Sequence, residues 1–314
     1  MPDKQLRIHR AQAARPDTRP TMLGISGDSA AGKTTLTRGL VDALGTTRST
    51  SMCVDDYHRY DRRERRDLPF TPLHPDCNYV QIMEQHLQLL ATGNPILKPV
   101  YDHSTGELAR PVLVEPHEFV LVEGLLPLHT KLARACFDVT VHLDPPEDVR
   151  AAWKIQRDTR KRGYRPEQVR AELGRREPES AEFIRPQREL ADIVISFAPI
   201  EGREDPPGTP LSATILMRPT IQHPNFTEIL TKAPTEAMHL ALKRDSDGRP
   251  VDALHIHGYA PAEESTVVAK AIWEGLDVDD PLPEHLGVLD DGRRNEPLRL
   301  AQLILLHHLI RGSG

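Results

Sequence analysis

Eight residues near the start of the chain constrain its fold more than any other feature. Residues 27–34 read GDSAAGKT, a full match to the pattern G-x-x-x-x-G-K-[ST]. The apolar segment TMLGISG precedes them and TTLTRGLVDALG, with helical spacing of leucine and valine, follows, so the motif lies between a strand and a helix. Glycines let the backbone wrap around a phosphate chain, and successive N–H groups with the helix N-terminus supply positive potential. The motif therefore predicts a nucleotide-binding loop.

This loop sets the first group of predicted site residues. We expect nucleotide contacts from Gly27, Asp28, Ser29, Ala30, Ala31, Gly32, Lys33, Thr34 and Thr35. Lys33 would reach the β- and γ-phosphates and take part in catalysis, and the Thr34 hydroxyl would bind Mg²⁺. Glu123 ends the apolar run VLVEG and is favoured as a second magnesium ligand over a surface or capping role. ATP and Mg²⁺ are the expected cofactors.

Short apolar strands alternate with amphipathic helices from residue 21 onwards. This order predicts an α/β fold of the P-loop kinase kind, with three layers and a mainly parallel sheet. The segment EGREDPPGTP has three prolines and two glycines in ten residues and is typical of a linker. We therefore expect a flexible tail over residues 1–20, a kinase domain over 21–204 and a smaller α+β region over 205–314.

Composition excludes several classes of protein. The 40 basic and 46 acidic side chains give a net charge of −6, which argues against a general nucleic-acid binder. No apolar run reaches the ~20 residues that span a bilayer, and the first twenty residues do not resemble a secretory signal. The three cysteines have no metal-ligand or disulfide pattern. A soluble, cytoplasmic protein without nucleic-acid or membrane partners is expected.

A second constellation, Asp55-Asp56-Tyr57-His58, ends the strand that follows the loop helix. The carboxyl ends of strands are where open α/β folds bind ligands. A hydroxyl acceptor needs a carboxylate to take its proton, and Asp55 is placed for that role. Residues 59–66 then carry five arginines against two acids. Most of these arginines are expected to be solvated, while one or two could bind a phosphate on the substrate.

The third constellation is a predicted helix over residues 153–163, within a strongly basic stretch. Residues 150–176 contain ten Lys and Arg against three acids, a local charge of +7. Such a concentration favours a cationic lid over the transferring phosphates. The alternative is an exposed helix whose charges form salt bridges.

Together these segments resemble the phosphoribulokinase and uridine kinase family of P-loop kinases, over about residues 22–200. The similar segments are GDSAAGKTT, VDDYHRYDR, KPVYDHSTGEL, VLVEGLLPLH, WKIQRDTRKRGY and EFIRPQRELADIVI. The second and third are closest to the plant and cyanobacterial branch. The resemblance implies ATP-dependent phosphorylation of D-ribulose 5-phosphate at O1, and a homodimer.

The resemblance also assigns roles residue by residue. It makes Asp55 the catalytic base, with Lys33, Arg157, Asp158 and Arg162 also catalytic, and places His58, Arg62, Tyr101, His103 and Lys154 at the acceptor. Glu123 falls at the family's Walker B acid.

In the plant-type branch a cysteine in the phosphate loop pairs with one just before the DDYH segment. Here Cys53 stands at the second place but Ala31 at the first, so that pair cannot form.

Two other functions remain open from the sequence. The nearer is a kinase for a nucleoside or another phosphorylated sugar, against which the arginines after Asp55 argue. The other is a switch or scaffold that binds a nucleotide without transferring phosphate. Such a protein needs no acid and base facing an acceptor, so Asp55 and His58 argue against it.

Overall fold

The structure, a computed structural model, describes residues 19–276 and 281–311. Within them the chain forms two compact units. The first unit consists of residues 19–33 and 50–191, and the second consists of residues 34–49 and 192–311 without the gap. Almost all the predicted site residues lie in the first unit, whereas Thr34 and Thr35 fall in the second.

The strands are β1 (Thr21–Gly27), β2 (Ser49–Cys53), β3 (Ile96–Asp102), β4 (Glu107–Val114), β5 (Phe119–Gly124), β6 (Val139–Leu143), β7 (Ile193–Ala198), β8 (Ser212–Met217), β9 (Met238–Arg244) and β10 (Pro250–Ile256). In the first unit the strand order is β2-β5-β1-β6, and β1 pairs in parallel with both β5 and β6. Every residue of β1, β5 and β6 is buried, as expected for central parallel strands covered on both faces. The carboxyl ends of these strands therefore bring the phosphate loop and Glu123 to one edge.

A separate two-stranded ribbon stands beside these strands. β3 and β4 pair antiparallel with Leu97 opposite Leu113, and these two side chains are 63% and 62% exposed. The polar segment Tyr101-Asp102-His103 has the sequence pattern of a loop, and this interpretation is wrong for Tyr101 but holds for His103. Tyr101 lies in β3 and is buried, while His103 lies in the turn that joins the two strands. The strand has low apolar alternation because its Lys98 and Pro99 interrupt the pattern.

The helices are α1 (Lys33–Leu44), α2 (Val80–Ala91), α3 (Lys131–Arg134), α4 (Glu147–Arg162), α5 (Pro166–Glu179), α6 (Phe226–Lys232), α7 (Ala262–Glu274) and α8 (Glu296–Arg311). The α4 segment ends at Gly163, which takes the left-handed conformation common after helix C-termini. A π-helical turn, Ser180–Ile184, continues α5 just beyond Pro178. The helix predicted after the phosphate loop and the predicted basic helix are confirmed as α1 and α4, whereas α5 and the π-helical turn were not predicted.

The second unit is antiparallel where the first is parallel. Its strand order is β7-β8-β10-β9, with antiparallel pairing throughout. Helix α8 is buried along most of its length, and Gln302 donates hydrogen bonds of 3.2 Å to the carbonyls of Thr35 and Leu36 in α1. These bonds anchor the helix that begins at the phosphate loop.

The predicted α/β fold class with a parallel sheet is confirmed. The compact units divide the chain at residue 191 and group 34–49 with the C-terminal part, so the boundary at 204 stays a prediction. The predicted tail over residues 1–20 lies outside the described residues except for its last two. Within the described ranges, each helix is too short or too polar to cross a membrane.

Candidate active site

The phosphate loop forms an open cradle between β1 and α1. Gly27 has φ +147°, and a Cβ there would lie 2.8 Å from the carbonyl oxygen of Leu143, so only glycine fits. Ala30 also has a positive φ of 67°. The Lys33 ammonium donates to the carbonyls of Gly27 and Asp28 at 2.8 and 2.9 Å, so it lies across the loop. A cationic side chain, a helix start and the two glycines Gly27 and Gly32 fit a nucleotide phosphate chain.

The remaining loop residues are placed as follows. Thr34 and Thr35 lie in the first turn of α1, where Thr34 is exposed. Ala31 is buried against β1, and the side chains of Asp28 and Ser29 turn toward α4. The nucleotide contacts themselves stay predictions.

Glu123 is the penultimate residue of β5 and is buried, opposite Ile25 of β1 in the parallel register. Burial raises the pKa of the nearby Cys53 thiol well above its usual range, and the charges of Asp55 and Glu123 raise it further. Both carboxylates therefore lie near the end of β2. That position suits a cation ligand, although magnesium binding by Glu123 stays a prediction. Within the described residues, no three His, Cys, Asp or Glu side chains converge on a possible metal site.

Asp55 lies in the 3₁₀ turn Val54–Tyr57, directly after β2. Its Oδ1 accepts a hydrogen bond of 2.8 Å from the backbone N–H of Leu125. The chain can approach β5 this closely because position 124 is a glycine with φ +156°, where a Cβ would lie 2.9 Å from Asp55 Oδ1. The carboxylate is thus fixed at the end of β5, beside Glu123, as a base at the sheet edge requires.

The neighbouring Asp56 has a different partner. Its carboxylate forms an ion pair with the buried Lys98 of β3 and accepts the backbone N–H of Tyr101 at 3.2 Å. Asp56 therefore connects the ribbon to the 3₁₀ turn. Of the two adjacent aspartates, Asp55 is the candidate base and Asp56 holds the ribbon in place.

His58 is buried, and burial lowers its pKa to about 4, with a further contribution from the Arg65 charge. Its Nδ1 lies 2.6 Å from Asn78 Oδ1. The Asn78 amide nitrogen donates to the carbonyls of Pro72 and His74, which fixes the oxygen toward the histidine. His58 Nδ1 is therefore the donor, and its Nε2 is an acceptor at neutral pH.

Three of the predicted acceptor residues, His58, Tyr101 and His103, lie together, whereas Lys154 is paired with Asp158 in α4. The rings of His58 and Tyr101 lie 4.8 Å apart, and Tyr101 and His103 lie 5.0 Å apart, all three in edge-to-face contact. Burial lowers the pKa of His103, and the opposing charges of Asp55 and Arg162 act on the same ring. The candidate base, the acceptor side chains and the end of α4 are therefore neighbours.

The two arginines Arg62 and Arg65 have different contacts, and the acceptor role of Arg62 stays a prediction. Arg62 is exposed, and its guanidinium donates to the carbonyls of His103 and Ser104 at 2.7 and 3.4 Å, which holds the ribbon turn. Arg65, which the sequence analysis grouped with solvated arginines, instead stacks on the Tyr101 ring at 4.7 Å and donates to its hydroxyl. Its buried Nη1 has no hydrogen-bond partner among the described residues. Nothing in the run of arginines separates these two, because 3₁₀ turns give the segment no helical period.

The basic helix α4 is organised around one buried carboxylate. Asp158 is 1% exposed, and its carboxylate forms three ion pairs. The nitrogen–oxygen distances are 3.0 Å to Lys154, 2.8 Å to Arg157 and 3.4 Å to Arg162. Burial by itself would raise the pKa of Asp158, but the hydrogen bond from Arg157 and the surrounding cations lower it overall. Burial also lowers the pKa of Lys154, as does the charge of Arg176. Asp158 thus holds three cations in place, and the direct catalytic role given to it stays a prediction.

The chain is similar in sequence to proteins of a known family. The sequence model of the Phosphoribulokinase / Uridine kinase family matches residues 22–202. A phosphoribulokinase of Synechocystis sp. is 40% identical over 187 residues, which cover 60% of this chain and 56% of that protein. A uridine kinase of Deinococcus deserti is 32% identical over 207 residues, covering 63% of this chain and 96% of that protein.

Among solved structures, a phosphoribulokinase from Rhodobacter spheroides matches with a TM-score of 0.59 at 16% identity, over 82% of this chain and 97% of that one. At this identity the likeness shows the fold alone. In the sequence matches, the chain spans little more than half the length of the cyanobacterial phosphoribulokinase. It spans nearly the whole length of the Deinococcus uridine kinase.

Proposed function

We propose, because the chain belongs to the phosphoribulokinase and uridine kinase family, that it transfers the γ-phosphoryl group of ATP to O1 of D-ribulose 5-phosphate. The products are ADP and D-ribulose 1,5-bisphosphate. The observation that carries this proposal is the grouping of Asp55, His58, Tyr101, His103 and Arg65. It combines a proton acceptor, neutral hydrogen-bonding rings and a guanidinium with an unpaired donor. The names of the Synechocystis and plant relatives support the same substrate.

The acceptor hydroxyl is activated by Asp55. Its carboxylate takes the O1 proton as the new O–P bond forms and the bond to the ADP oxygen breaks. The Leu125 N–H holds one carboxylate oxygen, so the other is available for the proton. His58, neutral at pH 7 with Nε2 unprotonated, can accept a hydrogen bond from another sugar hydroxyl.

The phosphate group already on the sugar is negatively charged, so we expect a permanently positive side chain to bind it. Arg65 supplies one, because its guanidinium stacks on the Tyr101 ring beside His58 and His103, whereas the Arg62 guanidinium bonds to the ribbon turn. An arginine fork matches phosphate geometry and keeps its charge at any physiological pH. We therefore assign the acceptor phosphate to Arg65 in place of Arg62.

ATP with Mg²⁺ would supply the phosphoryl group and a cation that offsets its charge. The residues fitted to hold them are Lys33 and its loop, with Thr34 and Glu123 for the metal. On the lid side, Arg157 and Arg162 project from α4 as fixed positive charges beside Asp158. Mg²⁺ as the metal, a homodimer and a cytoplasmic location are part of the same proposal, and the family resemblance is their support.

A uridine-kinase-like activity is the second candidate, because the alignment covers 96% of the Deinococcus uridine kinase. A nucleoside acceptor carries no charge, so it would leave the Arg65 cation without a partner. This difference makes the two candidates distinguishable by the acceptor alone.

The test is a screen of purified protein with ATP and Mg²⁺ against ribulose 5-phosphate, ribose 5-phosphate and uridine. We expect ADP release that depends on ribulose 5-phosphate. Asp55→Asn should lower kcat by about 10²–10⁴ without changing the melting temperature. Asp56→Asn is the matched comparison, since it breaks the Lys98 ion pair and should lower thermal stability. Turnover with uridine alone, or a less than tenfold effect of Asp55→Asn, would contradict the proposal.

A further inference from the structure

The phosphate loop contains a negative charge of its own. Asp28 is the second residue of a loop whose backbone is shaped to bind an anion, where a free carboxylate would repel nucleotide phosphates. The structure neutralises it. Its Oδ1 accepts the Ser29 N–H at 2.9 Å and lies 3.5 Å from Arg150 Nη1, and its Oδ2 accepts the hydroxyl of Ser180.

Its partners belong to two further segments of the first unit. Arg150 lies in the first turn of α4, is 5% exposed, and is held by Glu147 at 2.7 and 2.9 Å. Ser180 begins the π-helical turn after α5 and is 1% exposed. The Asp28 carboxylate therefore joins the loop, α4 and the π-helical turn in one buried polar contact.

The next residue extends this contact along α4. The Ser29 carbonyl accepts Arg150 Nη1 at 3.2 Å, and the Ser29 hydroxyl lies 3.4 Å from Arg157 Nη2. Arg150 and Arg157 are seven residues apart, which is two helical turns, so they lie on one face of α4. The loop thus holds the helix at two points and determines which face of α4 is turned toward it.

We propose that Asp28 is a positioning residue that sets the orientation of the lid helix α4, and with it Arg157, before nucleotide binds. In the proposed function, on which this inference rests, the carboxylate contributes no contact to substrate. It acts through Arg150 and Ser180. The π-helical turn has a reason in this arrangement, because it brings the Ser180 hydroxyl to the carboxylate. Such turns are frequent at functional sites.

The first test needs no substrate. Amide hydrogen exchange of the nucleotide-free protein is compared for wild type, Asp28→Ala, Asp28→Asn and Ser180→Ala. Asp28→Ala should speed exchange in α4 and in residues 176–184 by about tenfold, because both segments lose their shared anchor. Asp28→Asn should give a smaller change, since its amide oxygen still accepts from Ser180. Glu182→Ala, which removes an exposed acid from the same π-helical turn, is the control and should change nothing.

The second test is a double-variant comparison of kcat. Asp28→Ala should lower kcat by about 10²-fold, as a misplacement near 1 Å does. Adding Arg157→Ala should then cause little further loss, because Arg157 is already displaced. Multiplicative effects of the two changes would overturn the inference, as would unchanged exchange in α4. If wild type phosphorylated no sugar phosphate, the proposed function would fail, while the exchange comparison would still decide the role of Asp28.

Discussion

Replacing Gly124 with alanine should displace the candidate base without changing the charge of any side chain. The residue ends β5 with φ +156°, and an added Cβ would overlap Cγ2 of Val54 and lie 2.9 Å from Asp55 Oδ1. Ordinary van der Waals contact begins near ~3.5 Å, so the carboxylate oxygen must retreat by about 0.6 Å, and Val54 by more. The hydrogen bond from Leu125 would stretch with it.

The magnitude follows from two separate effects. A side chain forced into this backbone region costs about 1–3 kcal/mol, and overpacking a buried contact costs about 1–3 kcal/mol. The free energy of unfolding should therefore fall by about 2–6 kcal/mol. A displacement approaching 1 Å at the base should lower kcat by about 10- to 100-fold.

Two other glycines separate these effects. Gly163 has φ +70° but its added Cβ would meet nothing within 4 Å, so Gly163→Ala measures the backbone effect alone, about 1–2 kcal/mol. Gly174 lies inside α5 with open space around it, and Gly174→Ala should stabilise the protein by about 0.5–1 kcal/mol. The assays are urea unfolding and steady-state turnover at saturating substrates. If Gly124→Ala matched Gly163→Ala in stability and kept wild-type kcat, the close approach to β5 would not be what positions Asp55.

Three further outcomes are expected. Arg65→Ala should raise the KM for the sugar phosphate about 10- to 100-fold, the loss of one charge-assisted hydrogen bond, and leave the KM for ATP unchanged. Arg62→Ala should affect the acceptor KM less, and the reverse order in paired kinetics would contradict the assignment. Burial, with the charges of His223 and His307, lowers the pKa of His308 to about 3. The unfolded chain therefore binds more protons below pH 6.5, and stability should fall as the pH drops from 6.5 toward 3. In urea unfolding at pH 7 and 5, His308→Gln should weaken that dependence, and identical slopes would exclude this histidine as a cause. Activity should be insensitive to oxidised dithiols, because burial raises the pKa of the Cys53 thiol and leaves little reactive thiolate. Reversible inactivation that Cys53→Ser abolishes would refute this.

The parts of the site that were predictable are those encoded in contiguous sequence. The phosphate loop follows from eight residues between a strand and a helix, and its predicted position is confirmed by the bounds of β1 and α1. Asp55 could be placed because it ends a predicted strand, where open α/β folds bind ligands. The basic helix could be predicted from its own contiguous residues, and it lies in α4.

The parts that were not predictable depend on contacts between distant segments. Arg65 is distinguished from Arg62 by its contact with Tyr101. Tyr101 lies in a ribbon strand that the sequence pattern did not show. Asp28 was predicted as a nucleotide contact by its place in the motif, and this stays a prediction. Its carboxylate meets Arg150 and Ser180, more than a hundred residues away, and no local pattern encodes that contact.

The β3–β4 ribbon has a consequence for how acceptor choice can evolve. It carries Tyr101 and His103, yet it is a sheet of its own, joined to the 3₁₀ turn through Lys98 and Asp56. Ile96 and Tyr101 of β3 are buried, whereas nearly every residue of β4 is exposed. Mutations at the exposed positions of β4 can therefore accumulate with small loss of folding free energy, and the phosphate loop, which lies outside this ribbon, keeps its shape. Proteins with this fold can change their acceptor specificity through substitutions in the β3–β4 ribbon. The phosphate loop, which binds the nucleotide, stays the same.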